Sequence, residues 1–191
     1  MRDSITWKIG GEAGFGIMSA GTMLAKTHTR QGYRTFTTNE YPSLIRGGHN
    51  VVTVRIANHP VEAMNRDVHI LIGLNKQTVA IHKNELSKGA LVVFDPKDYE
   101  WKQEELGADR VRVAVPLTEI VTKEGADRVM RNTVALGASV ALLGVSFDKL
   151  ENVIKDQFAH KKPSITESNL RMAKAGFDYV MATYPSVDFA H

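Results

Sequence analysis

Two stretches of this chain concentrate residue types suited to binding. The first, Gly10-Gly-Glu-Ala-Gly-Phe-Gly16, sets four glycines among seven residues. Residues without a Cβ reach positive φ and let a ligand or a neighbouring chain lie close to the backbone. Where a helix follows such a turn, its bare N–H groups form a ready anion site. A tight strand-to-helix connection in an α/β sheet has the same composition, so these residues alone leave both readings open. The second stretch, Glu40-Tyr-Pro-Ser-Leu-Ile-Arg-Gly-Gly-His-Asn50, places Tyr41, Arg46 and His49 among the backbone breakers Pro42, Gly47 and Gly48. An arginine beside two glycines can hold its planar fork toward a carboxylate or a phosphate. Residues 40–50 are longer than an ordinary connection, which favours ligand binding or docking to another chain over a plain surface turn.

Other chemistries find little support. A dinucleotide fingerprint needs glycines at its first, third and sixth positions; Gly14-Phe-Gly16-Ile-Met-Ser19 ends in serine, and Glu40 lies too far on to serve as the ribose ligand. No Lys-Ser/Thr pair follows the turn, which excludes a P-loop. A free-standing nucleotide- or flavin-binding oxidoreductase using residues 10–16 is the alternative reading. The seven histidines show no metal spacing. His69, inside an apolar run, reads as a satisfied core residue, and His28 and His82 read as solvated helix positions. Arg110, Arg128 and Arg131 read as surface charges, as does the Lys161-Lys162 pair. The chain has no cysteine, so it can supply neither thiolate catalysis nor iron–sulfur ligation.

Around these residues, Ile5, Trp7 and Ile9 alternate with polar residues as in a strand. A helix is expected over 17–30, with Gly32 closing it. Strands are expected at 34–38, 51–56, 68–74, 91–94 and 111–115; the continuous apolar run at 68–74 suggests a sheet covered on both faces. Asn75 is placed to cap a helix reaching Lys88, with Gly89 as its stop. The last third reads as helical: 117–123 stopped by Gly125, a helix 133–143 capped by Asn132, one opened by Asp148 and Glu151, and one opened by the Ser164-Ile-Thr-Glu167 capping box. Strands alternating with helices indicate an α/β fold, a mainly parallel sheet with helices on both faces in a Rossmann-like three-layer sandwich, with a helical C-terminal third.

With 191 residues and 43% hydrophobic content, one compact domain is expected. A net charge of +3 is too small to argue for nucleic acid or a membrane surface. No apolar run approaches the roughly 18 residues of a membrane span, and Met-Arg-Asp-Ser does not resemble a signal peptide, so the cytoplasm is the expected location.

The two glycine-containing stretches together, followed by the strand at 51–56, resemble the gamma subunit or gamma domain of 2-oxoacid:ferredoxin oxidoreductases. The Asn39-Glu-Tyr-Pro-Ser43 form of the second stretch is most similar to the version fused ahead of the alpha subunit in 2-oxoglutarate-type enzymes. The resemblance implies one gamma-type domain over 1–184, with 185–191 a tail or the start of a linker, natural or cut from a longer fused chain. It implies a part in converting a 2-oxoacid and CoA to acyl-CoA, CO2 and reduced ferredoxin. Thiamine diphosphate, Mg2+, an iron–sulfur cluster and CoA then belong to the assembled complex, and this chain has no catalytic residue or metal site of its own. The implied partners are alpha and beta subunits or domains, and ferredoxin through the complex; alone, the domain could pair with itself. Gly11, Glu12, Gly14, Gly16, Tyr41, Arg46, Gly47, Gly48 and His49 would face the partner subunit or the CoA side.

Overall fold

The structure, a computed structural model, describes residues 3–41 and 48–185. Its centre is a six-stranded sheet in the order β2-β3-β1-β4-β5-β6. The strands are β1 (Ser4–Glu12), β2 (Arg34–Glu40), β3 (His49–Ala57), β4 (Val68–Gly73), β5 (Leu86–Phe94) and β6 (Val111–Ala114). β1 pairs parallel with β4, β4 with β5 and β5 with β6, whereas β3 lies antiparallel to both β1 and β2. Five strands therefore share one direction, and the sheet is mainly parallel as expected.

The helices are α1 (Ile17–Thr29), α2 (Lys76–His82), α3 (Gln103–Leu106), α4 (Leu117–Lys123), α5 (Arg131–Leu142), α6 (Phe147–Gln157) and α7 (Pro163–Thr183). They are divided unequally between the faces. One face carries the large core, in which Trp7, Ile9, Val54 and Ile72 meet Leu24, Leu136 and Leu142. The opposite face carries a smaller cluster of Leu71, Val92, Phe94, Val79, Trp101 and Leu106 under α2 and α3. The strands alternate accordingly: Trp7 and Ile9 face the large core, and Thr6 and Lys8 between them face the thin layer. Trp7 satisfies its indole N–H with Ser139 Oγ at 3.0 Å, as a buried indole requires.

Several element limits differ from the sequence reading, each for a physical reason. β1 runs on to Glu12, because Gly10 and Gly11 pair with Val51 and Asn50 instead of entering the turn. α2 is capped by Asn75, whose side chain accepts from Thr78 N at 3.0 Å. It stops at His82, however, and a single 3₁₀ turn, Lys83–Glu85, delivers the chain into β5. Gly89, taken as a helix stop, lies within β5 at φ 72. It sits in the stretch where the β4–β5 register shifts, and its N–H donates to Asp109 O at 2.9 Å. α5 starts one residue before its supposed cap, because a 3₁₀ turn capped by Asp127 leads directly into it. Asn132 is thereby freed for a contact described below. α7 opens on Pro163, whose fixed φ suits the first helical position, ahead of the predicted capping box. α6 begins at Phe147 after Ser146.

Candidate functional site

The two glycine-bearing stretches meet at one rim of the sheet. In the β1–β3 ladder Gly11 stands opposite Asn50 and Glu12 opposite His49. Beyond the ladder, Ala13 N–H donates to Gly48 O at 3.2 Å, so the first turn is tied directly to the exit of the second. Gly14, Gly16 and Gly48 all have positive φ, at 93, 66 and 96. Tyr41, exposed, reaches back to α1 and donates from its hydroxyl to Met18 Sδ at 3.0 Å. Of the predicted residues, Gly11, Glu12, Gly14, Gly16, Tyr41, Gly48 and His49 therefore share this rim. Arg46 and Gly47 lie outside the described residues.

The turn itself is shorter than the sequence suggested, because Gly10 and Gly11 belong to the ladder. Its second glycine is also engaged: Asn132 Nδ2 donates to Gly16 O at 2.9 Å and fixes the start of α1 against α5. Arg131, read as a surface charge, is 2% exposed. Its Nη2 donates to Leu74 O and to Asp98 Oδ2, which joins the loops after β4 and β5 beneath the turn. This guanidinium and that of Arg128 both stand over the Phe15 ring, at 5.9 and 5.7 Å from ring centre to Cζ.

A row of four polar side chains begins at the same rim and runs along the thin-layer face. Lys8 Nζ donates to Glu85 Oε2 at 2.5 Å, and Glu85 Oε1 lies 2.8 Å from His82 Nδ1. His82 Nε2 is 2.9 Å from His49 Nε2. Gly10 makes the row possible, since a Cβ there would lie 2.7 Å from Thr78 Cγ2 and 2.9 Å from His49 Cε1. Lys8 and His82 are buried; His82, expected to be solvated, packs under α2 against the sheet. Burial lowers the basicity of His49, as do His82 and Lys8 nearby, while Glu40 opposes them. Burial alone would raise the Glu85 carboxyl, but hydrogen bonds from Lys8 and His82 bring it below its ordinary value. The Lys8–Glu85 end opens into a cleft of ≈ 470 Å³ that Thr38, Glu40, Thr53 and Arg66 also line.

Sequence reasoning singled out His49 but missed Lys8, His82 and Glu85. The alternation along β1 puts Lys8 and Gly10 on one face, and that signal was present. What was absent was the α2 boundary, which turns His82 and Glu85 toward that face. The other histidines divide between expectation and correction. His69 Nδ1 accepts from Thr6 N–H at 3.0 Å, in line with a satisfied core residue. His28, expected to be solvated, is buried, with Nδ1 2.9 Å from Leu24 O; desolvation lowers its basicity against the raising effect of that carbonyl. Among the described residues, no group of three or more His, Asp and Glu is placed to hold a metal ion.

Fold and rim together describe an α/β domain whose candidate site consists of two backbone bends and a row of polar side chains at the edge of a mainly parallel sheet. The chain belongs to the pyruvate ferredoxin/flavodoxin oxidoreductase family, whose model matches residues 6–179. It is 27% identical to the alpha subunit of 2-oxoacid:ferredoxin oxidoreductase 2 from Aeropyrum pernix, over 92% of this chain and 34% of that one. It is 30% identical to ketoisovalerate oxidoreductase subunit VorA from Methanothermobacter thermautotrophicus, over 90% of this chain and 35% of the relative. The chain thus spans about a third of the length of these relatives. Against the 2-oxoglutarate synthase subunit KorC of the same organism it is 27% identical, over 91% of this chain and 94% of that subunit.

Solved structures share the fold. A 2-oxoglutarate:ferredoxin oxidoreductase from Magnetococcus marinus, with 2-oxoglutarate, coenzyme A and succinyl-CoA bound, gives a TM-score of 0.89 at 22% identity, over 99% of this chain and 33% of that one. The gamma subunit of a keto/oxoacid ferredoxin oxidoreductase from Geobacter sulfurreducens gives 0.80 at 22% identity, over 95% and 98%. No helix among the described residues is long and apolar enough to cross a membrane.

Proposed function

We propose that this chain is the accessory gamma-type component of a thiamine-diphosphate-dependent 2-oxoacid:ferredoxin oxidoreductase. The whole assembly converts a 2-oxoacid and CoA to acyl-CoA, CO2 and reduced ferredoxin, and 2-oxoglutarate is the favoured 2-oxoacid. Alpha and beta partners hold thiamine diphosphate, Mg2+ and the iron–sulfur cluster; without cysteine, this chain has no thiolate for a cluster. Its own contribution is the rim where residues 11–16 and 48–49 lie side by side, which serves assembly or the CoA side of the complex. The observation that carries this reading is the direct tie between the two bends, Ala13 N–H to Gly48 O, in a chain of this family. The KorC and Magnetococcus relatives support 2-oxoglutarate as substrate.

Reconstitution tests the proposal. The chain is mixed with the alpha and beta partners of its source organism, and acyl-CoA formation and complex mass are measured. Assembly and turnover are expected to depend on it, and full activity in an unchanged complex without it would refute the reading. In the same assay Arg46→Ala is expected to weaken assembly or turnover while the isolated chain keeps its circular dichroism and melting temperature. Unaltered activity of the assembled variant removes Arg46 from the site.

A further inference from the structure

We propose that the His49–His82 pair is a proton-sensitive latch that holds the exit of the β2–β3 connection, and through it the glycine turn, to α2. The row Lys8–Glu85–His82–His49 has an internal direction at neutral pH. Glu85, an anion beside Lys8, can only accept, so His82 Nδ1 carries a hydrogen toward it. A neutral His82 then has a bare Nε2, which accepts from His49 Nε2–H across 2.9 Å. His49 Nδ1 is left as a bare acceptor; it is buried and has no hydrogen-bond partner among the described residues.

One added proton keeps the row intact. Whichever ring carries it, one Nε2–H donates to the other Nε2 across the contact, and Glu85 still accepts from His82 Nδ1. A second proton does not. Two imidazoliums would set N–H against N–H at the 2.9 Å contact, with rings whose centres are 5.1 Å apart. The hydrogen bond is lost, and two like charges are added beside Lys8.

The charged and titratable groups around His49 come from every neighbouring element: Lys8 and Glu12 from β1, Glu40 at the end of β2, His82 from α2 and Glu85 from the 3₁₀ turn. Burial, His82 and Lys8 all oppose a proton on His49, and Glu40 favours one. The folded value of His49 lies below its ordinary 6.5, so the unfolded chain binds more protons in the interval between the two. The stability contributed by the neutral ring is complete above 6.5 and falls as pH drops through that interval. An open latch frees His49, the first residue of β3, next to Gly48, whose carbonyl holds Ala13 N–H.

The test uses the isotope-labelled full chain and needs no activity readout, so its outcome is separate from that of the reconstitution. Ring NMR signals of the His49–His82 pair are followed as pH is lowered from neutrality, in the wild type and in His82→Gln. The expected result is a coupled titration with two midpoints separated by about one pH unit or more. Below the lower midpoint, amides 13 and 48–50 should exchange about tenfold faster than above it, after correction for intrinsic rates. In His82→Gln one of the charges opposing a proton on His49 is removed while its burial remains, so the His49 midpoint should rise and the acid loosening should shrink. A His49 titration unmoved by His82→Gln, or acid loosening undiminished in that variant, would overturn the latch. Should His82→Gln fail to fold, the wild-type ring nitrogens decide at neutral pH: hydrogens on His82 Nδ1 and His49 Nε2 support it, and the reverse tautomers refute it.

Discussion

Gly10 shows how much of the site depends on one missing methyl group. It lies in the ladder with an ordinary strand partner, so its value is not a left-handed backbone but the space its absent side chain leaves for Thr78 and the His49 ring. Gly14 is the opposite case, with φ of 93 and nothing within 4 Å of a would-be Cβ. Gly10→Ala is therefore expected to act by overpacking, destabilising the chain by about 1–3 kcal/mol. The His82 and His49 ring signals should shift with it, because the methyl presses on one end of the row. Urea denaturation and a histidine NMR spectrum check this together. A stable Gly10→Ala with unmoved ring signals would mean that the sheet yields at that point and that the row does not depend on Gly10.

The helices repeat this dependence on a larger surface. α5 and α7 approach so closely that a Cβ on Gly137 would strike the Ala173 carbonyl, and one on Gly176 the Val134 carbonyl. Each glycine thus faces backbone one turn before its counterpart on the other helix, and backbone cannot swing aside as a side chain can. Gly176→Ala should force the helices apart and cost about 3 kcal/mol, at the upper end of overpacking effects, read as a lowered urea midpoint with an unchanged slope. The small residues at 135–141 announced a closely packed helix in the sequence, and the strands and most helices of the fold were legible from periodicity in the same way. The limits of α2, α5 and α7 were not, because short 3₁₀ turns and Pro163 decide them, and a capping pattern does not reveal which local hydrogen bond wins. The site was half legible for the same reason. Glycines and His49 advertise themselves, whereas the inward turn of His82 and Glu85 follows from where α2 ends.

The whole molecule is unequal about its sheet, and the inequality determines where it should loosen first. On one face α1, α4, α5, α6 and α7 share a continuous core with the central strands. On the other, α2 and α3 cover a small apolar cluster centred on β4 and β5, and α2 reaches β1 at Gly10 through Thr78. Toward β1 and β3 that face is polar, with Thr6, Lys8 and Thr53 buried beside the cleft. Segments held by fewer apolar contacts open at lower free energy than the global transition. Native-state hydrogen exchange in low urea should therefore show amides of α2, the 3₁₀ turn at 83–85 and α3 exchanging through a sub-global opening. Those of β1, β4 and α5 should exchange only on global unfolding. That order has a consequence for the site. Lys8 and His49 stand on the strongly held strands, while His82 and Glu85 stand on the lightly held layer. The polar row thus spans the boundary between the two. A single opening energy for all of these segments would remove that boundary, and the row would then be a brace within one rigid body.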